Sequence, residues 1–121
     1  MGIYDMTNKN IFITGNVDLI ILSILKKEDT YAYDIVKQIV DLSDGMLELS
    51  GNTIYAAIYK LVNNNYLSEE TRKVGKRRTR VYYHIEESGL LYLNELYEMY
   101  MKTMLGTNQI LERLNHTKEI D

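Results

Sequence analysis

The chain has 121 residues, 45% of them apolar and 26% charged, with a formal net charge of −3. That length suits one domain with a modest core, and the balanced composition excludes a disordered or fibrous chain. There is no cysteine, which excludes disulfides, thiol redox chemistry and zinc–thiolate sites, and no proline, so turns fall to Gly, Asn, Asp and Ser.

Residues 1–15 read as a weakly patterned arm ending in Gly15, and Asn16 is placed to cap a first helix running to about Lys27. Its Leu19, Ile20, Leu22, Ile24 and Leu25 are too apolar to face water. This greasiest stretch is interrupted by Ser23 and falls far short of the ~20 residues of a membrane span. No charged-then-apolar leader pattern opens the chain, so a cytoplasmic protein without membrane association is expected.

Lys26 to Thr30 reads as a turn, with Asp29 or Thr30 capping a second helix to about Leu42. Ile35, Val36, Ile39 and Val40 form its buried stripe, and Asp44-Gly45 stops it. The alternating Met46–Leu49 predicts a small strand. Ser50 then caps a third helix over 50–64, whose Ile54, Ala57, Ile58 and Leu61 recur at i, i+3, i+4, i+7. Its other face carries Asn52, Thr53, Tyr55, Tyr59 and Lys60.

Two polar strands follow, Leu67–Lys73 and Thr79–Ile85, with Val81, Tyr83 and Ile85 on one face expected to pack inward. Between Arg72 and Arg80 lie six cations and no acid, with Gly75 near the middle. The remaining eight cations face seventeen acids, so the rest of the chain carries −9. A polyanion would be repelled by most of this surface and attracted to one hairpin. Alone, such a run is as readily a solvated turn. Behind three helices it spells a winged helix-turn-helix, in which Lys76, Arg77 and Arg78 reach phosphates or a minor groove. The third helix offers its N-terminal N–H groups to phosphate, and Asn52 and Thr53 offer donors and acceptors to base edges.

From Glu86 to about Asn115 the pattern is helical again, and Leu93, Tyr97, Tyr100, Met104, Thr107, Leu111 and Leu114 recur at heptad spacing. A helix of ~43 Å outruns the body of a small domain, so its far half needs a partner, most economically a second copy. Gly106 predicts a kink or break. Tyr92, Tyr97, Met99, Tyr100, Met101 and Met104 read either as dimer core or as the lining of a site for a flat aromatic effector. The two histidines, His84 and His116, belong to no metal-spaced or catalytic set, and no glycine-rich phosphate loop follows a strand. No enzyme, metal or cofactor is expected.

These residues resemble a PadR-type transcriptional regulator over about residues 14–105. Ala32-Tyr33-Asp34-Ile35 resembles the family's Gly-Tyr-Glu-Ile, and Ser50-Gly51-Asn52-Thr53-Ile54-Tyr55-Ala56-Ala57-Ile58 its Ser-Pro-Gly-Thr-Leu-Tyr-Pro-Ala-Leu. Leu61 and Asn65-Tyr66-Leu67 resemble the leucine and Gly-Leu-Ile that lead into its wing. Gly75-Lys76-Arg77-Arg78 leading to Tyr82-Tyr83 resembles the wing itself, and Glu87-Ser88-Gly89 the Glu-Ala-Gly opening its last helix. Both signature prolines are replaced, by Gly51 and Ala56; Asn52 stands for glycine, Tyr59 for a basic residue and Glu86 for a threonine cap. These departures bear on the choice of operator rather than on the fold.

The resemblance implies a homodimeric repressor joined through its C-terminal helix, in some members with a small effector between subunits. Members that use a central tryptophan give no guide here, because the chain has none. The expected fold is mainly α with a small β-hairpin: an arm (1–15), a winged helix-turn-helix (16–85), and a long C-terminal dimerisation helix and tail (86–121). Expected DNA contacts are Tyr33, Ser50, Asn52, Thr53, Tyr55, Tyr59 and Lys60 from the helices, and Lys76, Arg77, Arg78 and Arg80 from the wing. Expected dimer contacts are Leu93, Tyr97, Tyr100, Met104, Leu111 and Leu114. The rival reading is a winged helix used only for protein contact, as an adaptor or antirepressor; its acidic bulk surface and Tyr59 favour it.

Overall fold

The structure, a computed structural model, describes the backbone of residues 6–120 and the side chains of residues 16–116. Four helices and three strands follow one another along the described residues: α1 (Met6–Lys27), β1 (Thr30–Tyr31), α2 (Ala32–Leu42), α3 (Gly51–Asn63), β2 (Leu67–Lys73), β3 (Thr79–Ile85) and α4 (Glu87–Ile120). The strands form an antiparallel sheet in the order β1-β3-β2. This is a mainly helical winged helix-turn-helix with a long last helix.

The core follows the apolar periodicities. Ile21, Leu22 and Leu25 of α1, Ile35 of α2, and Ile54 and Leu61 of α3 are fully enclosed. Burying each such side chain contributes about 1.5–3 kcal/mol. Tyr83 and Ile85 close the core from the sheet and Leu93 from α4.

Several expectations are corrected. Asn16 caps nothing: α1 begins at Met6 and runs through it. A glycine inside a helix costs only ~1 kcal/mol, so Gly15 does not stop one. Of the expected arm, residues 1–5 lie outside the described residues. Neither Asp29 nor Thr30 caps α2; the N-cap is Tyr31, without a side-chain cap bond. Thr30 instead pairs with Tyr83 in the sheet, and its hydroxyl donates to Asp34 Oδ2 at 2.7 Å.

Met46–Leu49 forms no strand. The Leu47 N–H turns back to Ser43 Oγ at 3.0 Å, and only Leu49 reaches the core. Val81 is 38% exposed rather than packed inward, because it pairs with Thr71 on the part of the ribbon beyond β1, where no body lies beneath. Gly106 does not break α4.

Both helices of the helix-turn-helix end on a non-glycine residue in the left-handed region, followed after α2 by Gly45 at φ +80. After α3, Asn65 takes φ +64. The N–H groups of Asn65 and Tyr66 return to the carbonyls of Val62 and Leu61, each at 3.0 Å. Asparagine tolerates this conformation, and the double bond satisfies carbonyls that the helix end leaves open. Asp44 does the same after α2 at φ +53. The tight turn at Asn65 delivers the chain directly into β2 and so fixes where the wing leaves the body.

Candidate nucleic-acid interface

Two exposed features lie next to each other in the chain, the outer face of α3 and the tip of the β2–β3 ribbon. At the start of α3, Ser50 is the N-cap; its Oγ accepts the Thr53 N–H at 3.2 Å and lies 3.0 Å from Thr53 Oγ1. That part of the expectation holds as capping. Asn52, Tyr55, Tyr59 and Lys60 are exposed, Tyr59 at 69%. The apolar stripe Ile54, Ala57, Ile58 and Leu61 turns the helix so that these four face outward.

Lys60 also acts on Asp18 of α1. Half-burial raises the Asp18 carboxyl above its ordinary range, and the Lys60 ammonium opposes that shift. Tyr33 stands on the first turn of α2 with 74% exposure.

At the ribbon tip, Gly75 adopts φ +122, a region only glycine enters without strain, and the Val74 N–H closes the turn onto the Arg78 carbonyl at 3.0 Å. Lys76, Arg77 and Arg78 are exposed there, and among the described residues they make no ion pair. Two of the six cations behave differently. Arg72 and Arg80, which the register places directly opposite each other, fold back along the sheet. The Arg72 guanidinium sits 4.3 Å over the Tyr82 ring, and that of Arg80 sits 4.2 Å over Tyr31. Tyr31 and Tyr82 meet edge to face at 5.4 Å.

Asp29, just before β1, ties the same region together. Its carboxylate lies 3.6 Å from Arg72 and 2.8 Å from His84 Nδ1. Sequence reading missed Asp29, Tyr31 and Tyr82. The Arg80, Tyr82, His84 alternation was a usable signal, but Tyr31 could not join it without β1.

The hydrogen bond to Asp29 holds the His84 imidazolium above its ordinary pKa of 6.5; partial burial opposes it, and the charges of Asp29 and Glu86 add to the rise. A raised folded-state value stabilises the fold fully below 6.5, and that contribution is lost as pH rises through the higher value. His84 is largely exposed, so the contribution is under about 1 kcal/mol. Thermal midpoints across roughly pH 5–8 should separate His84→Gln from the parent at the acid end and converge at the alkaline end. A gap that is constant with pH would show that the pair does not titrate.

The last helix divides at its middle. Leu93 is buried in the chain's own core, which removes it from the expected dimer seam. Tyr97, Tyr100, Leu111 and Leu114 are exposed, and Met104 is half-buried. Tyr97 and Tyr100 line an apolar groove of about 320 Å³ with Leu19, Ile24, Ile39 and Leu47. Among the described residues no group of His, Asp or Glu is arranged to hold a metal, and no helix is long and apolar enough to cross a membrane.

The family model for PadR-like transcriptional regulators matches residues 21–95, from α1 through the wing into α4. The chain belongs to that family. Among solved structures, a transcriptional regulator from Clostridium thermocellum is 33% identical with a TM-score of 0.75, over 81% of this chain and 92% of that one. A PadR family regulator from Eggerthella lenta is 26% identical with a TM-score of 0.73, over 88% and 91%. Bacillus subtilis PadR, solved with operator DNA, is 22% identical with a TM-score of 0.60, over 64% of this chain and 44% of that one. At that identity the likeness to the DNA complex is one of fold. The family is one of transcriptional regulators.

Proposed function

We propose that this PadR-like regulator is a homodimeric repressor that binds a pseudo-palindromic operator. The observation that carries the reading is the uncompensated cationic ribbon tip, Lys76, Arg77 and Arg78, together with the exposed polar face of α3 on an otherwise acidic chain. In this reading Asn52, Thr53, Tyr55, Tyr59 and Lys60 meet bases or phosphates in the major groove, with Tyr33 at its edge and the tip on the flanking backbone. Ser50 presents the helix start and does not itself read sequence. The acidic remainder of the surface limits indiscriminate coating of DNA. The shared fold with Bacillus subtilis PadR, solved with operator DNA, supports duplex DNA as the partner.

Replacing Lys76, Arg77 and Arg78 together by Ala tests the reading on duplexes from the region upstream of the chain's own reading frame. Binding should weaken on every sequence, and the slope of log affinity against log salt should flatten by up to ~0.9 per lost phosphate contact. Equal affinity and slope in the triple variant would leave the wing without a role. A parent chain that ignores duplex DNA at low ionic strength would return the protein-contact reading to first place.

The groove between α1, α2 and α4 favours an effector-gated form of the same regulator. Its size and apolar lining suit a flat organic molecule, and Tyr97 and Tyr100 report on it. Planar aromatic compounds that quench tyrosine fluorescence and release DNA would establish gating.

A further inference from the structure

We propose that the cross-strand ladder Arg72–Tyr82–Tyr31–Arg80 fixes the attitude of the wing, so that these four are positioning residues for the contact made by the tip. The inference rests on the wing reading above. β1 contributes only two residues, pairing with Tyr83 and Tyr82. Beyond Tyr82 the ribbon is two-stranded, and of β2 only Leu67 is buried. A bare two-stranded ribbon is marginal in water, and its tip would sample many directions. A cation cluster on such a tip meets phosphate only after losing that freedom.

The ladder sits where the sheet narrows from three strands to two. Both of its cation–ring contacts run diagonally from the ribbon back to the body: Arg72 of β2 to Tyr82, and Arg80 of β3 to Tyr31. Arg72 and Arg80 are direct cross-strand partners, and two like charges so placed repel unless each finds another partner. Arg72 donates to Glu70 Oε1 at 2.7 Å and lies over the Tyr82 ring, and Arg80 lies over Tyr31. Tyr31 and Tyr82 are in register as well as in edge contact, which joins the two diagonals into one row. Asp29 adds an anchor behind the row through its contact with Arg72. Tyr31 is also the N-cap residue of α2, so the row connects the wing to the helix-turn-helix directly. Arg80, expected as a DNA contact, acts through the wing on this account.

The experiment crosses the ladder with the tip. Tyr82→Leu removes the ring while keeping bulk on β3, and Tyr82→Phe keeps the ring. Backbone amide relaxation, read without DNA, should show order lost at Lys76–Arg78 in Tyr82→Leu and kept in Tyr82→Phe. On the upstream duplex, Tyr82→Leu should bind about three- to tenfold more weakly with a flatter salt dependence. In the background with Ala at positions 76–78 it should change neither. Tyr31→Leu should reproduce both effects from a different strand, so the result does not depend on one variant's folding.

A Tyr82→Leu chain with an ordered tip and parental affinity overturns the inference while leaving the wing reading intact. So does an affinity loss of the same size in both backgrounds. A tip-alanine chain that binds as the parent does overturns the wing reading and the inference together.

Discussion

Replacing Leu111 and Leu114 together by glutamine should leave the body of the protein folded and turn a dimer into a monomer. The 34 residues of α4 span about 50 Å at the α-helical rise. The first half lies against α1, with Leu93 in the core and Tyr92 and Leu96 packed beside it. From Leu105 to His116 every side chain is exposed, among them Leu105, Ile110, Leu111 and Leu114. An isolated helix with that much bare apolar surface and no tertiary support is marginal in water. Pairing with the same helix of a second copy covers the surface and supports the helix at once.

Glutamine keeps helix propensity and adds no charge, so any effect is one of association rather than of local unfolding or repulsion from DNA. Sedimentation equilibrium should report half the parental mass. The thermal midpoint should lose its dependence on protein concentration. Affinity for a two-half-site duplex should fall by about 10²–10⁴, as it does when two linked binding events become independent. A double variant that sediments as the parent does would move the interface elsewhere.

How far the fold could be read in advance depended on how many residues each element spends on its own pattern. Both wing strands were legible to their ends, because β3 alternates through Val81, Tyr83 and Ile85 and the turn at Gly75 leaves the polar β2 few registers against it. The third helix was legible from a cap and a four-residue stripe, Ser50 with Ile54, Ala57, Ile58 and Leu61. β1 was not, because two residues have no periodicity; Thr30 and Tyr31 are a strand only because β3 offers them an edge. Asn16 resembled a cap because capping residues are read from local chemistry, whereas the helix continues upstream regardless.

The site shows the same division. The exposed tip cations follow from charge and turn chemistry alone. The fate of Arg72 and Arg80 follows from register with a strand that the sequence does not announce. The seam was read from heptad spacing, but spacing cannot say where one partner ends and another begins. Leu93 has the right interval and faces its own core, while Leu111 and Leu114 have the same interval and face water.

Gly89→Ala should destabilise the fold by about 1–3 kcal/mol and lower the thermal midpoint by roughly 5–10 °C, whereas Gly106→Ala on the same helix should stabilise it. At Gly89 the backbone of α4 rests on the turn that follows α3. A Cβ there would collide with the Tyr66 carbonyl oxygen and come within 2.8 Å of Ile85 Cγ1. That carbonyl cannot yield, because it accepts the Glu86 N–H at 2.9 Å and belongs to the turn held by Asn65. Ser88 Oγ donates to the Asn65 carbonyl at 2.7 Å, and Ser68 Oγ to Glu86 at 2.6 Å, which pins the helix start from both sides. Tyr66 and Tyr92 stack at 4.3 Å one turn further on.

Accommodating a methyl group therefore means lifting α4, which strains these bonds and withdraws Leu93 from the core. Overpacking of about 1–3 kcal/mol and roughly 1 kcal/mol from a weakened hydrogen bond outweigh the gain of up to ~1 kcal/mol from replacing a helical glycine. At Gly106 nothing lies within 4 Å of the added carbon, and the position falls off the seam of Met104, Thr107 and Leu111. Only the propensity gain remains there, a stabilisation of up to ~1 kcal/mol. The same substitution with opposite signs on one helix separates close backbone contact from helix propensity. Chemical denaturation of both variants decides it, and two shifts of the same sign would show that Gly89 is not held against Tyr66.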